Sequence, residues 1–353
     1  MPVIDEYLKM VLERKGSDLH FLAGDPPRIR LYGDLQPLRP EKLDKEFVQQ
    51  TLYEIMPKTA VKRFEDHDGA DFAYNMGEYG RFRVNVMRQL NGMGAVMRAI
   101  PSKALSLEQL NLPPAIHQLC RANNGLILVT GKTGSGKSTT LAAMIDDINA
   151  RVKGHILTIE DPIEFVHRRK QCLISQREVG VHTKGFAAAL QSGLREDPDV
   201  VLVGELRDFE TISIAVTAAE MGILVMGTLH TNGAAQTVDR MVNVFPSDKQ
   251  SHVRTMLSTS LRGVVSQQLL QRADKSGRVA ALEILVNNAA VSNLIRQGKL
   301  DQLETTMQSG SQFGMRTMDS AIDALLAQRM VTGKEAYKKG INKAKFEPVK
   351  DQG

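Results

Sequence analysis

The spacing of apolar residues divides the chain into regions of different structure. In the first 100 residues, short segments alternate apolar and polar residues between glycine-rich turns, and helical spacing appears at 1–15 and 45–56. Alternation over a few residues is typical of strands with one buried face, and short turns join antiparallel neighbours. Residues 1–100 are therefore predicted to form a small α+β domain with an antiparallel sheet.

A second region follows residues 101–114, which carry prolines at both ends and are predicted to be a linker and hinge. From 115 to 286, continuous apolar segments alternate with helical patterns, which indicates a mostly parallel sheet covered by helices on both faces. The predicted strands are Leu126–Thr130, Ile156–Glu160, Val200–Gly204, Ile223–Leu229 and Ala280–Val286, and the predicted helices are 138–150, 185–196, 208–221 and 247–270.

The last region, 287–353, has only helical spacing, with helices predicted at Ala290–Gln297, Asp301–Gln308 and Met318–Arg329. The polar tail Lys343–Gly353 is expected to be frayed. Together the regions predict an α/β protein with a mostly parallel sheet, a smaller N-terminal α+β domain and C-terminal helices.

One glycine-rich segment lies between a predicted strand and a predicted helix and matches the P-loop spacing G-x-x-x-x-G-K-[ST]. Glycines let successive backbone N–H groups point at phosphate oxygens, and the following helix directs its positive end at the same anion. Lys137 is predicted to contact the β- and γ-phosphates of ATP, and Ser138 to bind Mg²⁺. The predicted nucleotide-binding residues are Gly131, Lys132, Thr133, Gly134, Ser135, Gly136, Lys137, Ser138 and Thr139.

Hydrolysis also requires an acid that orders the metal and a group that activates water. Glu205 follows an apolar strand at its carboxyl end, where α/β sheets bind ligands, and is predicted to bind Mg²⁺. A second strand ends at Glu160 and Asp161 and is followed by Glu164, which is predicted to activate the attacking water. The sequence also allows the opposite assignment of Glu164 and Glu205.

Further polar residues follow the buried segments of the same region. His230 ends the next strand, where it can contact the γ-phosphate and detect its loss. Arg195 and Arg207 follow buried segments nearby, and for each a structural salt bridge and a nucleotide contact agree equally well with the sequence.

Arginines recur in one strand of the N-terminal domain. The segment 81–86 alternates polar and apolar residues, so Arg81 and Arg83 share one face of the strand, and Arg98 lies nearby in the sequence. This face is either solvated or directs arginines at a nucleotide held elsewhere, on a neighbouring subunit.

Composition narrows the class of protein without deciding it. Of the 353 residues 42% are hydrophobic, enough for real cores, and no apolar run approaches the ~18 residues of a membrane span. Asp5 and Glu6 near the start argue against a secretion signal, and Cys120 and Cys172 make neither a metal motif nor a disulfide framework. A cytoplasmic protein is expected. The formal charge of +5 permits an acidic, membrane or nucleic-acid partner.

Taken together, the P-loop, the acidic segment 158–165, the segment 200–208 and the histidine segment 227–232 resemble secretion ATPases of the type II/type IV pilus superfamily. Within it, Gly16-Ser-Asp-Leu-His, Arg81-Phe-Arg-Val-Asn, Met307-Gln-Ser-Gly and Thr317-Met-Asp-Ser are similar to the pilus retraction branch. The resemblance implies a PAS-like N-terminal domain, a RecA-like ATPase core and a ring of six subunits at the cytoplasmic base of the pilus. It also implies that Arg81, Arg83 and Arg98 reach the nucleotide of a neighbouring subunit.

Two features qualify the resemblance. Extension ATPases of this superfamily usually carry a four-cysteine zinc site, which two distant cysteines cannot form. The retraction branch carries Ala-Ile-Arg-Asn-Leu-Ile-Arg-Glu, and the matching segment 290–297 departs from it at Ser292 and Gln297.

The expected protein is a hexameric, Mg²⁺-dependent ATPase motor for pilus retraction and twitching motility. It is expected to contact an inner-membrane pilus platform protein, to be peripheral to the membrane without inserting, and to bind no nucleic acid. The alternatives are an accessory pilus or type II secretion ATPase paralogue, a DNA-translocating RecA-like motor, and a nucleotide-gated scaffold with little turnover.

Overall fold

The computed structural model describes residues 2–31, 34–100 and 104–351, and the chain divides into two compact units. The first unit comprises Met1–Lys103 with the short segment Glu164–Val166, and the second comprises Ala104–Ile163 with His167–Gly353. Of the predicted linker, residues 101–103 lie outside the described residues. Leu107, farther along it, is 1% exposed and packs in the core of the second unit, so a hinge would have to precede this residue.

The first unit is a six-stranded antiparallel sheet with three α-helices among its described residues. The strands lie in the order β3-β2-β1-β6-β5-β4. In chain order the elements are α1 (Ile4–Glu13), β1 (Asp18–Leu22), β2 (Arg28–Leu31), β3 (Asp34–Pro37), α2 (Lys45–Ile55), α3 (Lys58–His67), β4 (Gly69–Asn75), β5 (Arg81–Gln89) and β6 (Gly92–Ile100).

The apolar and polar residues that alternate along β5 lie on opposite faces of the sheet, as predicted. Phe82, Val84 and Val86 on β5 are fully buried, while Arg83 and Asn85 between them are exposed. The helices cover the apolar face, and their own apolar residues complete a single core. The antiparallel α+β architecture agrees with the predicted PAS-like domain; helix α3 had no prediction.

The second unit contains a seven-stranded sheet in the order β13-β12-β7-β11-β10-β8-β9. All of its neighbours pair in parallel except β12 and β13. In chain order the elements are α4 (Pro114–Leu119), β7 (Gly125–Thr130), α5 (Lys137–Arg151), β8 (His155–Glu160), β9 (Leu173–Glu178), α6 (Phe186–Gly193), β10 (Val200–Val203), α7 (Phe209–Glu220), β11 (Leu224–Leu229), α8 (Ala234–Asn243), α9 (Ser247–Ser260), β12 (Leu261–Gln271), β13 (Arg278–Val286), α10 (Ala289–Gln297), α11 (Leu303–Ser309), α12 (Met318–Ala327), α13 (Gly333–Lys339) and α14 (Lys343–Phe346).

Hydrophobic cores lie on both faces of this sheet. Every residue of β7, β10 and β11 is therefore buried. Continuous apolar strands are what a parallel sheet between helical layers requires. The predicted α/β class, with a mostly parallel sheet and C-terminal helices, is confirmed. Among the described residues, no helix combines the length and the apolar character that crossing a bilayer demands.

The helix predicted over 247–270 is wrong in its second half. Helix α9 ends at Ser260, Leu261 has an extended backbone, and β12 continues to Gln271 between β7 and β13. Gly263 disfavours a helix, the β-branched Val264 and Val265 favour a strand, and both valines are fully buried. Apolar runs of this kind fit a buried helix or a buried strand, and here the open edge of β7 selected the strand.

Further elements of the second unit had no correct prediction. Strand β9 lies at the sheet edge and is mostly polar, so it lacks the apolar run of the inner strands. Helices α4, α8 and α13 had no prediction. The tail is not simply frayed, because α14 forms there and Phe346 is 1% exposed in a core with Leu270 and Ile322.

Candidate functional site

Four parallel strands bring the predicted site residues to one edge of the second unit's sheet. Strands β7, β11, β10 and β8 are consecutive neighbours, and their carboxyl ends lead into the P-loop, His230, Glu205 and Glu160 in that order. The in-register pairs Thr130–Leu229 and Val203–Ile159 place these ends side by side. Ligands of open α/β sheets bind at this edge, so the sheet order assembles residues that are far apart in the sequence.

The P-loop joins β7 to α5 with the backbone conformation that a phosphate cradle needs. Gly131 and Gly136 have φ of 139° and 91°, values that favour glycine. A Cβ at Gly131 would lie 2.4 Å from the backbone oxygen of Gln267, and one at Gly136 would lie 2.6 Å from Gln267 Nε2. Both glycines are thus required by conformation and by close packing.

Lys137 holds its positive charge at the loop. The residue is 8% exposed, and its Nζ donates to the carbonyl oxygens of Gly131 at 2.9 Å and Lys132 at 3.2 Å. The loop thereby curls around the ammonium group at the N-terminal end of α5, where the helix dipole also favours an anion.

The loop and its surroundings carry polar groups that a bound nucleotide and its metal ion would pair with. Ser135 is 6% exposed, and within the described part of the chain its Oγ has no hydrogen-bond partner. A buried hydroxyl of this kind is rare in proteins and fits a phosphate oxygen as acceptor. Ser138 at the start of α5 and Glu205 offer hydroxyl and carboxylate oxygens, the donors that Mg²⁺ prefers.

A cavity of about 930 Å³ lies beside the loop and is lined by Gly136, Thr139 and Thr140. Arg272 and Arg278 line it from the β12–β13 hairpin, and residues of α12 and the segment 109–113 complete it. Its volume is within the range of small-molecule and cofactor sites. Arginines and partly apolar walls next to a phosphate cradle suit the ribose and base of a nucleotide.

Arg316 also lines this cavity and is a residue that sequence reasoning missed. Its Nε donates to the Leu282 carbonyl oxygen at 2.7 Å, and burial lowers the pKa of its guanidinium.

Glu205 forms the centre of a charged cluster. Its Oε1 lies 3.3 Å from His230 Nε2 and 3.2 Å from Arg207 Nε. The Gly204 carbonyl, one residue earlier, accepts from Thr228 Oγ1 and fixes the turn after β10. The structure therefore brings Glu205 and His230 together and gives Arg207 a salt bridge to a predicted site residue, while Arg195 is exposed after α6.

Of the acids after β8, Glu160 is the buried one. It is 8% exposed, and its Oε1 accepts from Thr158 Oγ1 at 2.7 Å and from Gln176 Nε2 at 3.3 Å. Gln176 lies on the unpredicted strand β9. Glu164 belongs to the three-residue segment grouped with the first unit, and its role as the water-activating group stays a prediction.

The first unit carries its arginines in a row across the sheet. Arg83 on β5 is in register with Arg98 on β6, Arg98 with Asp18 on β1, and Asp18 with Arg30 on β2. Arg98 Nε donates to Asp18 Oδ1 at 2.8 Å, and Arg83 Nε lies 3.8 Å from an oxygen of Asp71. Arg81 lies on the same face of β5, two residues before Arg83. Arg30 is a member that sequence reasoning missed.

Burial and hydrogen bonds act in opposite directions on the pKa of Asp18, the acid in this row. The Asp18 side chain is 4% exposed. Burial by itself would raise its pKa, but hydrogen bonds from Ser17 and Arg98 outweigh that effect and hold the pKa below its ordinary value. Asp18 is therefore a buried anion between exposed cations.

Known proteins resemble this chain over most of its length. A profile of the family described as type II/IV secretion system protein matches residues 1–298. The type IV pilus retraction ATPase PilT of Pseudomonas aeruginosa is 48% identical over 336 residues, covering 95% of this chain and 97% of that protein. A twitching motility protein of Neisseria gonorrhoeae is 49% identical over 316 residues, covering 90% of this chain and 84% of that protein. A crystal structure of the pilus retraction motor PilT with bound ADP has a TM-score of 0.91 at 42% identity and covers 99% of both chains.

Proposed function

Because the chain belongs to the family of type II/IV secretion system proteins, we propose that it is a hexameric ATPase motor that powers type IV pilus retraction. The observation that carries the proposal is the placement of the P-loop beside the Glu205–His230 pair on adjacent strand ends. A phosphate cradle next to an acid that can order a metal supplies two of the parts that phosphoryl transfer to water requires. The names of the two relatives and of the solved structure support retraction as the task that this hydrolysis drives.

The nucleotide occupies the P-loop and the adjoining cavity. Backbone N–H groups of 131–139 bind the phosphates, Lys137 contacts the β- and γ-phosphates from its buried position at the loop, and the arginines at the cavity wall face the ribose and base. Ser138 and Glu205 would hold Mg²⁺, and the bound ion would supply positive charge to neutralise the phosphate oxygens.

Hydrolysis breaks the bond between the γ-phosphorus and the oxygen that bridges it to the β-phosphate. The water oxygen attacks the γ-phosphorus, and Glu164 takes up the proton that the water loses. His230, held by Glu205, contacts the γ-phosphate and loses that contact when phosphate departs. Arg81, Arg83 and Arg98 act on the nucleotide of the neighbouring subunit, so an isolated subunit is inactive.

The motor works as a homohexamer in the cytoplasm, at the inner-membrane base of the pilus, against a membrane platform protein. The family resemblance supports this assembly. Helix α10 at 289–297 is the element proposed to transmit force, because its outer residues Asn293, Arg296 and Gln297 are exposed.

The test measures the ATPase rate of the purified full chain as a function of oligomer size, with and without DNA. Activity is expected only in the hexameric fraction and without stimulation by DNA, and the gene is expected to restore twitching to a retraction-deficient strain. Stimulation by DNA that weakens steeply with salt would favour a DNA motor instead. Tight ATP binding with negligible turnover in the hexamer would favour a nucleotide-gated scaffold.

A further inference from the structure

Strand β12 carries two adjacent buried polar residues, Ser266 next to the end of β7 and Gln267 next to the P-loop. Ser266 pairs in register with Thr130, the last residue of β7 before the P-loop. Ser266 is 2% exposed and Gln267 is 3% exposed, although both are polar. Buried polar side chains are costly unless they form hydrogen bonds, so the partners of these two residues identify their purpose.

Gln267 uses both ends of its amide on the loop. Its Nε2 donates to the backbone oxygen of Ser135 at 2.8 Å, and its Oε1 accepts from Thr140 Oγ1 at 2.7 Å. Ser135 lies in the glycine-rich turn and Thr140 in the first turn of α5. The planar amide therefore bridges the turn and the helix at the point where Gly136 joins them.

The glycines of the loop are packed against the same residue. Side-chain atoms added at Gly131 or Gly136 would overlap the backbone oxygen or the amide nitrogen of Gln267, as described above. Glycine-rich turns have many accessible conformations, and ordering them costs conformational entropy. The Gln267 amide next to Gly136, together with the Gln267 backbone oxygen next to Gly131, restricts the turn to the conformation in which its N–H groups converge.

Ser266 extends the same strand's contacts to the histidine segment. Its Oγ lies 2.5 Å from Thr130 Oγ1 and accepts from the backbone N–H of Gly233 at 2.8 Å. Gly233 is three residues after His230 and precedes α8. One strand thus ties the start of the P-loop to the segment proposed to detect the γ-phosphate.

We propose that Gln267 is a positioning residue for ATP hydrolysis, which holds the P-loop in its phosphate-binding conformation, and that Ser266 aligns the segment after His230 with it. This inference rests on the assignment of the P-loop as the nucleotide site. Neither residue touches the reacting atoms. Their effect is exerted through Ser135, Thr140 and Gly233.

The central test compares Gln267→Met with Gln268→Met. Methionine keeps the length of the side chain and removes both hydrogen bonds, and Gln268 is the next residue of the strand, directed to the other face. Two hydrogen bonds of about 1 kcal/mol each correspond to a loss of roughly 10- to 30-fold in kcat/KM. For Gln267→Met the fall in kcat is expected to exceed the rise in KM for ATP, because an aligned loop matters most when charge develops on the γ-phosphate. Gln268→Met is expected to stay within about twofold of the wild type.

If Gln267 only stabilised the fold, its substitution would lower Tm without changing the kinetics of the folded enzyme. Each variant's Tm and its fraction of nucleotide-binding sites are measured beside its kinetics. If Gln267→Met lowers Tm but its folded fraction keeps wild-type kcat and KM, or if it equals Gln268→Met, the inference is overturned.

A second pair of variants decides the question if Gln267→Met does not fold. Thr140→Val removes one of the two bonds and is expected to lower kcat several-fold, and Thr140→Ser, which keeps the hydroxyl, is expected to recover most of the loss. Equal activity of the two variants would refute the proposal. Lys137→Ala, assayed in the same series, tests the P-loop assignment on which this inference rests. Wild-type turnover by that variant would refute the assignment itself.

Discussion

The two units hold their positive charges in opposite ways. In the second unit, Lys137 is buried and held by the backbone carbonyl oxygens of its own loop. In the first unit, Arg83 and Arg98 have side chains that are 49% and 69% exposed, and each lies within salt-bridge distance of an aspartate on the same sheet. The lysine is fixed where its ligand must come, and the arginines project from a sheet surface.

This difference indicates distinct tasks. A buried ammonium that donates to loop carbonyl oxygens is preorganised for an anion, because those dipoles order it without cancelling its charge. The Arg83–Asp71 pair is exposed on both sides, and such pairs contribute only ~0–1 kcal/mol, so a phosphate can displace Asp71 from Arg83 at little cost. We accordingly propose that Lys137 is the permanent part of the site and that Arg83 can be engaged and released.

Removal of the buried charge should have the largest effect. Lys137→Ala is expected to abolish hydrolysis, since a charge-assisted contact to phosphate contributes ~1.5–3 kcal/mol to binding and more in the transition state. Turnover of the purified variant, with Lys153→Ala as an exposed control from the second unit, measures this. Full activity of Lys137→Ala would contradict the assigned role.

Substitution of the acids near the phosphate site should have the next largest effect on turnover. Glu205→Gln is expected to lower turnover and to raise the Mg²⁺ concentration required, because an amide binds the ion more weakly than a carboxylate. Glu164→Gln is expected to lower turnover by about 10²–10⁴-fold, the usual contribution of a general base, with unchanged Mg²⁺ dependence. Rates measured over a Mg²⁺ titration separate the two, and the reverse pattern would exchange the two roles.

The exposed arginines should act on a neighbouring subunit. Arg83→Ala is expected to reduce the rate of the ring, by less than the roughly 10³–10⁵-fold of a lone arginine finger because the row has several members. Mixing Arg83→Ala with Lys137→Ala subunits should restore part of the activity, since some interfaces then join an intact arginine to an intact P-loop. Rings shown to be mixed, yet still inactive, would return Arg83 to an ordinary solvated surface.

Burial also predicts a pH effect at His167 in the second unit. Burial lowers the pKa of this imidazole from 6.5 to about 4, with Asp146 opposing the shift. The folded state therefore keeps His167 neutral where the unfolded state binds a proton, so its contribution to stability is present above pH 6.5 and is lost as the pH falls toward 4.

The loss approaches ~1.4 kcal/mol per pH unit in that window. His167→Gln, compared with the exposed His252→Gln, should flatten the fall in unfolding free energy measured by denaturant titration. Equal pH dependence in wild type and His167→Gln would exclude the effect.

The smallest effect on the chemistry is expected at α10. Val291 and Ile295 are fully buried, whereas Asn293 and Arg296 are exposed. Asn293→Ala with Arg296→Ala should change stability by less than ~0.5 kcal/mol and leave ring assembly and the ATPase rate near wild type, yet stop pilus retraction in cells. Measuring the ATPase rate and surface motility of one variant tests this. A parallel loss of both would place α10 in the catalytic ring, and normal motility would move the coupling elsewhere.

The sequence by itself determined the parts of the molecule whose signals are local. The P-loop spacing, the apolar strands on either side of the site and the alternation on β5 each identify an element from its own residues. The acids and His230 could be predicted near the phosphates because each directly follows an apolar strand, and parallel strands end at one edge.

Tertiary structure decided the parts that depend on neighbours. The segment 261–271 became a strand because β7 offered an open edge, and only that pairing placed Ser266 and Gln267 against the P-loop. Arg30 joined the arginine row, and Gln176 approached Glu160, through strand register that no single segment specifies. Local pattern fixes the type of an element, whereas its partners follow from the competition among all surfaces that must be buried together.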